Sequence, residues 1–278
     1  MLDVIDSHFH LWSLTNPGHQ WPTPDMPALY RDFTADDLRR AAADVRLAGG
    51  VLVQSQPTDA DTDWMLAVAA TEPLVLGVCG WVDLAAADVP RRIAELAAMP
   101  KLRALRPMLQ SIADTEWLLR DALAPAIAAM IEHGLRLDAL VQPRHLPMLA
   151  EFVDRWPALP VVIDHAAKPR AATREMDPWC DDIAALAARG VYCKLSGLRT
   201  EQGPYQPARA LKPYIDHLVI EFDQRLMWGS DWPVLLQSGD RYDRWLDDAI
   251  WLTDLAECAQ ARLFAGCARE FYDLPPSS

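Results

Sequence analysis

Apolar residues in this chain come in two rhythms. Short runs rich in Val, Leu and Ile recur along its length: "VIDSH" from Val4, "GVLVQ" from Gly50, "LVLGVCGW" from Leu74 and "LRALR" from Leu102. Four more follow: "LRLDALV" from Leu135, "PVVIDH" from Pro160, "VYCKLS" from Val191 and "RLMWGSD" from Arg225. Runs of this length and composition read as buried strands, and the Ala-rich segments between them carry helical spacing. The helices have recognisable ends. Thr34 can cap "ADDLRRAAA", Pro90 stands early in "PRRIAELAAM", and Gly134 and Gly190 follow "AIAAMIEH" and "DDIAALAAR".

Each unit is therefore strand, loop, helix, and such units fill a 278-residue chain. That length is close to the roughly 250 residues of a (β/α)8 barrel. An open doubly wound sheet is the main competitor, and its glycine-rich phosphate loop after the first strand is missing here. We therefore expect an α/β fold, one (β/α)8 TIM barrel over residues 1–278, with no linker dividing it. The irregular stretch near residues 13–30, which contains "PGHQWPTPDMP", follows the first strand. In a barrel such a loop lies over the catalytic mouth, where it can act as a lid. The final segment, "CAQARLFAGCAREFYDL", reads as helix packing.

Composition narrows the partner. Hydrophobic residues make up 51% of the chain, enough for a large core, and the net charge is −13. A nucleic-acid backbone or an anionic membrane would be repelled, so a small molecule is the expected partner. No apolar stretch reaches the roughly 18 residues needed to span a bilayer, and "MLDVID" does not resemble a signal peptide. The five cysteines are scattered without a CxxC pair and read as reduced, buried thiols. A soluble cytoplasmic protein is expected; oligomeric state is not legible.

The polar residues fall where a barrel places its chemistry, at the C-terminal ends of the strands. They are His8 and His10 after the first, Gln54 after the second, Trp81 and Asp83 after the third, and Arg106 on the fourth. Asp138 and Gln142 belong to the fifth, Asp164 and His165 to the sixth, Lys194 and Ser196 to the seventh, and Asp231 to the eighth. Strict alternation along "VIDSHFH" puts Asp6, His8 and His10 on one face. The imidazoles read as facing the cavity and Asp6 as anchoring the strand end or its neighbours.

"DSHFHLW", "VIDHAAKP", "CKLSGL" and "MWGSDWPV", in this order and one per expected strand, resemble the motifs of the amidohydrolase superfamily. The likeness is to its sugar-lactone hydrolase branch, with fuconolactonase- and rhamnonolactonase-like enzymes, and runs from residue 3 to about residue 273. It implies a (β/α)8 fold and an active site built from His8, His10, His165 and Asp231. Two-metal members carry a bridging carboxylated Lys or a Glu on strand four and a His ending strand five. Here those places hold Arg106 and Asp138 or Gln142, with His145 beyond the strand, which argues against a binuclear centre. One divalent ion, zinc for preference, remains compatible with His8, His10, His165 and Asp231 as ligands, and the branch includes members that work without metal.

The chemistry expected is hydrolysis of a sugar lactone, such as L-fuconolactone or L-rhamnonolactone, to the aldonic acid. Asp231 would take the proton of the attacking water while His8, His10 and His165 polarise the carbonyl, directly or through a metal. Arg106 and Lys194 could hold a carbonyl or carboxylate oxygen, or could form internal ion pairs with Asp138 or Asp164. Trp12, Trp81 and Trp232 offer apolar faces to a sugar ring, Trp232 above the others because it adjoins Asp231, and Gln54 and Gln142 are hydroxyl partners. With few cations at the mouth, a neutral substrate is favoured over a dicarboxylic one. Two alternatives stay open: a metal-dependent decarboxylase of an aromatic or unsaturated acid, and a non-catalytic barrel that binds a sugar acid.

Overall fold

Eight parallel strands form one sheet in the order of the chain, as seen in a computed structural model that describes residues 2–276. The strands are β1 (Val4–Phe9), β2 (Leu47–Val53), β3 (Val75–Gly80), β4 (Leu102–Leu105), β5 (Arg136–Ala139), β6 (Val161–Ile163), β7 (Tyr192–Leu195) and β8 (Leu226–Trp228). Each coincides with one of the apolar runs. Helices α1 (Ala35–Ala41), α2 (Asp59–Thr71), α3 (Val89–Ala97), α4 (Ala124–Glu132), α5 (Leu146–Arg155), α6 (Trp179–Ala188), α7 (Lys212–Phe222) and α8 (Tyr242–Thr253) follow them in turn. This is the expected (β/α)8 barrel. Among the described residues, no helix is long and apolar enough to cross a membrane.

Local sequence explains the helix ends. Thr34 caps α1 through a reciprocal pair: its Oγ1 accepts from the Asp37 N–H, and the Asp37 carboxylate accepts from the Thr34 N–H at 2.9 Å. In α3, Val89, Ile93 and Leu96 recur at helical spacing and are the residues buried against the barrel. Burying side chains of that size is worth about 2 kcal/mol each.

Closure is the weakest seam of the sheet. β1 and β8 meet through a single bridge, Phe9 beside Trp232, rather than through a ladder among the described residues. Two backbone bonds carry it, from the His10 N–H to the Trp232 carbonyl (2.7 Å) and from the Asp231 N–H to the His8 carbonyl (2.8 Å). Asp6 reinforces the join. Its carboxylate accepts from the Ser230 N–H (2.9 Å), the Ser230 hydroxyl (2.6 Å) and the His8 N–H (3.1 Å).

Asp6 therefore anchors the strand end and does not face the cavity beside the histidines. Strict alternation fails because the register between β1 and β2 slips: Asp6 lies opposite Gly50, but Phe9 lies opposite Leu52, three steps on one strand against two on the other. Such a bulge re-aims the side chains beyond it. Gly50 permits the close approach, since a Cβ there would stand 2.3 Å from the Asp6 carbonyl oxygen.

The barrel interior is apolar at its lower end, where Ile5, Val51, Val53, Cys79, Ala104, Val162 and Met227 pack together. The C-terminal segment seals this end. After α9 (Glu257–Ala261) the chain makes a π-helical turn at Arg262–Gly266 and then α10 (Cys267–Phe271), which brings Phe271, Tyr272 and Leu274 into the same cluster. All five cysteines are free; Cys79, Cys193 and Cys267 are buried as expected, whereas Cys180 is half-buried and Cys258 is exposed.

Candidate active site

Above that apolar floor the barrel holds a stack of charges. Lys194, fully buried on β7, sits 2.6 Å from Asp138 on β5 and 2.9 Å from Asp164 at the end of β6. Arg106, just beyond β4, closes the stack with one nitrogen 3.3 Å from Asp164 and another donating to the Gln54 carbonyl. Two cations thus meet two carboxylates, with Tyr272 donating to Asp138 from below at 2.7 Å. Burial works against the Lys194 charge, but Asp138 and Asp164 outweigh it and hold the ammonium above its ordinary range. Burial alone would raise Asp164; Lys194, His8 and Arg106 reverse that and keep it well below the usual carboxylate range. Burial pushes Asp138 up, against Lys194.

Upon this stack rest the histidines. His8 Nδ1 lies 3.2 Å from the Lys194 ammonium, and its Nε2 lies 3.2 Å from His10 Nε2. Nδ1 of His10 points at the Val53 carbonyl at 2.8 Å, and because a carbonyl only accepts, Nδ1 must carry the proton. Its Nε2 faces inward, toward His8 and Asp231. His165 reaches the same point from the end of β6, braced by the Ser196 hydroxyl at 2.9 Å.

Asp231 completes the group. One of its carboxylate oxygens, Oδ1, is 3.4 Å from His10 Nε2, 3.7 Å from His8 Nε2 and 3.9 Å from His165 Nε2. Burial tends to raise Asp231, but the imidazoles of His165, His10 and His8 together hold it below the ordinary carboxylate range. Burial, then Lys194, push His8 well below its usual value against the pull of Asp164, and burial takes His165 down to about 4. Near neutral pH the group is an ionised carboxylate among uncharged His8 and His165 rings, an acceptor able to take a proton from water.

The four side chains named from the sequence thus converge from β1, β6 and β8. His10, His165 and Asp231 stand with Arg106 at the base of a cavity of about 540 Å³, and His8 is buried beneath them without lining it. Of the other sequence candidates Arg106 lines the cavity, and the rest are placed elsewhere. Lys194 is corrected from substrate contact to internal ion pair, because two buried carboxylates claim its ammonium. Trp12 and Trp232 are buried against Phe33, with ring centroids 5.2 and 5.3 Å from it, and neither lines the cavity. The Trp81 backbone is tied to Thr62, the Gln54 amide donates to the Arg106 carbonyl, and the Gln142 side chain accepts from Arg144. None of these three lines the cavity either.

The aromatic wall is Trp21 instead, from the loop expected to cover the mouth. Trp12 stands behind it, with ring centroids 5.2 Å apart. Gln56 clamps the loop in place: its carbonyl oxygen accepts from the Gln20 and Trp21 N–H groups (3.0 and 3.2 Å), and its amide donates to the Trp21 carbonyl. Lys168 and Glu201 also line the cavity and were not singled out by sequence reasoning, although Lys168 stands inside the "VIDHAAKP" motif. Burial raises the Glu201 carboxyl, and the Lys168 ammonium opposes it.

Two backbone features set the His165 side. Residues 165–168 all adopt left-handed backbone, with φ of 53°, 50°, 59° and 54°, and none is glycine. Each such residue costs about 1 kcal/mol or more, strain of the kind that persists where a site requires it. Opposite lies Gly197, at φ +64°, where a Cβ would stand 2.4 Å from His165 Nδ1. Gly197→Ala should therefore push the imidazole off Ser196 and lower kcat/KM about a hundredfold, as a displacement near 1 Å does in a preorganised site. Steady-state kinetics beside a thermal melt would check this, and activity within threefold of the parent would contradict it.

The donor atoms suit one divalent cation. His8, His165 and Asp231 offer ligand atoms within 4.8 Å of one another, and His10 Nε2 faces the same space. Two positive groups oppose such an ion, Arg106 at 3.4 Å from His8 Nε2 and Lys194 at its Nδ1, which limits the affinity.

The chain is similar to known proteins over nearly its whole length. A family model described as amidohydrolase matches residues 5–274. The chain is 44% identical to an L-fucono-1,5-lactonase of Burkholderia ambifaria, over 96% of this chain and 94% of that one. It is 33% identical to an L-fucono-1,5-lactonase of Burkholderia multivorans, over 98% and 96% of the two. A crystal structure of an amidohydrolase from Burkholderia multivorans with bound zinc superposes with a TM-score of 0.90 at 32% identity, covering 98% of this chain and 99% of that chain. Barrel, histidine pair, late aspartate and sequence likeness all lead to one assignment: this chain belongs to the amidohydrolase family.

Proposed function

We propose that this chain is a lactonase that hydrolyses a neutral sugar lactone of the L-fucono-1,5-lactone type to its aldonic acid. One observation carries the reading: three imidazole nitrogens meet a single ionised carboxylate oxygen at the base of an open cavity. Asp231 takes the proton of the attacking water. His10 and His165 flank that water and hold it against the carbonyl carbon. Arg106 supplies positive charge beside the developing oxyanion, and its buried Nε–H has no hydrogen-bond partner among the described residues. Collapse of the tetrahedral carbon expels the ring oxygen, which recovers the proton held by Asp231. Trp21 offers an apolar face to the sugar ring, behind the loop that Gln56 fixes.

A divalent ion, zinc by the donor set, would be held by His8, His10, His165 and Asp231 and would supply Lewis acidity at the carbonyl. The Burkholderia lactonases support the substrate class, and the small-molecule partner follows from it. The free cysteines support a reducing compartment, the cytoplasm, and the role is in carbohydrate metabolism.

A pH-indicator screen of aldonolactones, aromatic acids and simple esters, with and without chelator, tests this. Acid release from L-fucono-1,5-lactone is expected, with at most a partial loss under chelator. Release of CO2 from an aromatic acid without lactone hydrolysis would replace this reading with a decarboxylase.

A further inference from the structure

The left-handed stretch at residues 165–168 does more than place His165. It also carries Lys168 to the cavity wall, with the Lys168 N–H bonded back to the His165 carbonyl at 2.8 Å. Facing it is Glu201, on the loop after β7, with an oxygen 3.6 Å from the Lys168 ammonium. Backbone bonds fix Glu201 at both ends. Its N–H donates to the Leu198 carbonyl at 3.2 Å, and its own carbonyl accepts from the Ala172 N–H at 3.0 Å, which ties the β7 loop to the β6 loop. Both side chains keep about a quarter of their surface exposed, 23% and 25%, so they are open to a ligand without being free in solvent.

Both cations on this wall already have anionic partners. Arg106 answers Asp164 beneath it, and Lys168 answers Glu201. The remaining lining acid, Asp231, is surrounded by histidines. No lining lysine or arginine is therefore left to neutralise an anionic substituent, among the described residues. A carboxylate paired with an ammonium instead suits hydroxyl groups, since the first accepts their protons and the second donates to their oxygens.

Resting on the lactonase reading, we propose that Lys168 and Glu201 are the specificity pair of this site: together they bind the ring hydroxyls of a neutral lactone, and Glu201 repels lactones that carry a carboxylate. The left-handed turn is then the device that brings the cation to the wall. Like charges a few ångströms apart in a partly buried site repel strongly, so the negative side of the pair acts as a filter as well as a contact.

The test measures kcat and KM for the parent enzyme, Glu201→Gln, Lys168→Met and the double variant. The probes are L-fucono-1,5-lactone, unsubstituted δ-valerolactone and the δ-lactone of 2-hydroxyadipic acid, whose ring bears a carboxylate. In E201Q we expect KM for the hydroxylated lactone to rise about tenfold with little change in kcat. Its preference over δ-valerolactone should fall by the same factor. kcat/KM for the carboxylated lactone should rise at least tenfold, through Lys168 released from its partner, and the double variant should lose that gain. Equal losses of E201Q on the hydroxylated and unsubstituted lactones would overturn the proposal, because the residue would then serve the shared chemistry or the fold. So would an E201Q enzyme unchanged on all three. Turnover by the parent with an unmoved variant defeats this inference alone, whereas a parent inert toward every lactone defeats the lactonase reading and this inference with it.

Discussion

Replacing Asp231 by asparagine is expected to lower kcat for lactone hydrolysis about a thousandfold, the midrange of what a positioned general base contributes. The amide matches the carboxylate in shape, so the packing of the site should survive. It lacks the charge that accepts the water proton, and among the described residues Asp231 is the one carboxylate that faces all three imidazoles, Asp164 meeting His8 alone, at Nδ1. A thousandfold corresponds to about 4 kcal/mol of transition-state stabilisation. KM should move far less, because the lost interaction is made during proton transfer rather than on binding. Initial rates at saturating lactone, with a melt to establish folding, decide the matter. An asparagine variant within tenfold of the parent would transfer the role of base to another group.

Lys194→Met should have the largest effect on stability. The substitution keeps the length of the side chain and removes the one ammonium shared by two fully buried carboxylates. A buried ion pair adds little over a well-packed apolar core, but removing one partner strands the other, at a cost of about 3–5 kcal/mol. For a chain of this size that is a fall of about 10 °C in Tm. Adding Asp138→Asn should restore part of the loss, because the stranded charge closer to Lys194 is then gone. A melt of K194M within 2 °C of the parent, a limit of about 1 kcal/mol on this scale, would mean that the stack is not electrostatically closed. Activity should fall as well, since the ammonium sits 3.2 Å from His8 Nδ1 and supports that ring from below.

Much of the frame was legible from the chain because barrel strands are buried on both faces and stand out as apolar runs between turn signals. His8, His10, His165 and Asp231 were legible for another reason: the fold forces strand ends to converge, so residues remote in sequence become neighbours whatever the loops do. What escaped was carried by backbone detail. Alternation cannot foresee the bulge after Asp6 that turns its carboxylate to Ser230. Four left-handed residues without a glycine leave no compositional trace, so nothing singled out Lys168. Trp12, Trp81 and Trp232 follow strand ends as a sugar-binding ring would. The ring that reaches the cavity is Trp21, presented by a loop that a glutamine amide remote in sequence helps to hold. Lys194 lies at a strand end yet one layer too deep, a difference of depth that periodicity does not encode.

The join between β1 and β8 bears on how such an enzyme would fail on warming. Among the described residues two main-chain bonds, the Asp6 carboxylate and the Ser230 hydroxyl span it, and the main-chain donors and acceptors belong to His8, His10, Asp231 and Trp232. A slight parting there separates the aspartate from its imidazoles while the remaining seven strand pairs stay intact. Heat inactivation should accordingly run ahead of the loss of helical circular dichroism, and engineering aimed at durability would gain more from riveting this one edge than from repacking the interior.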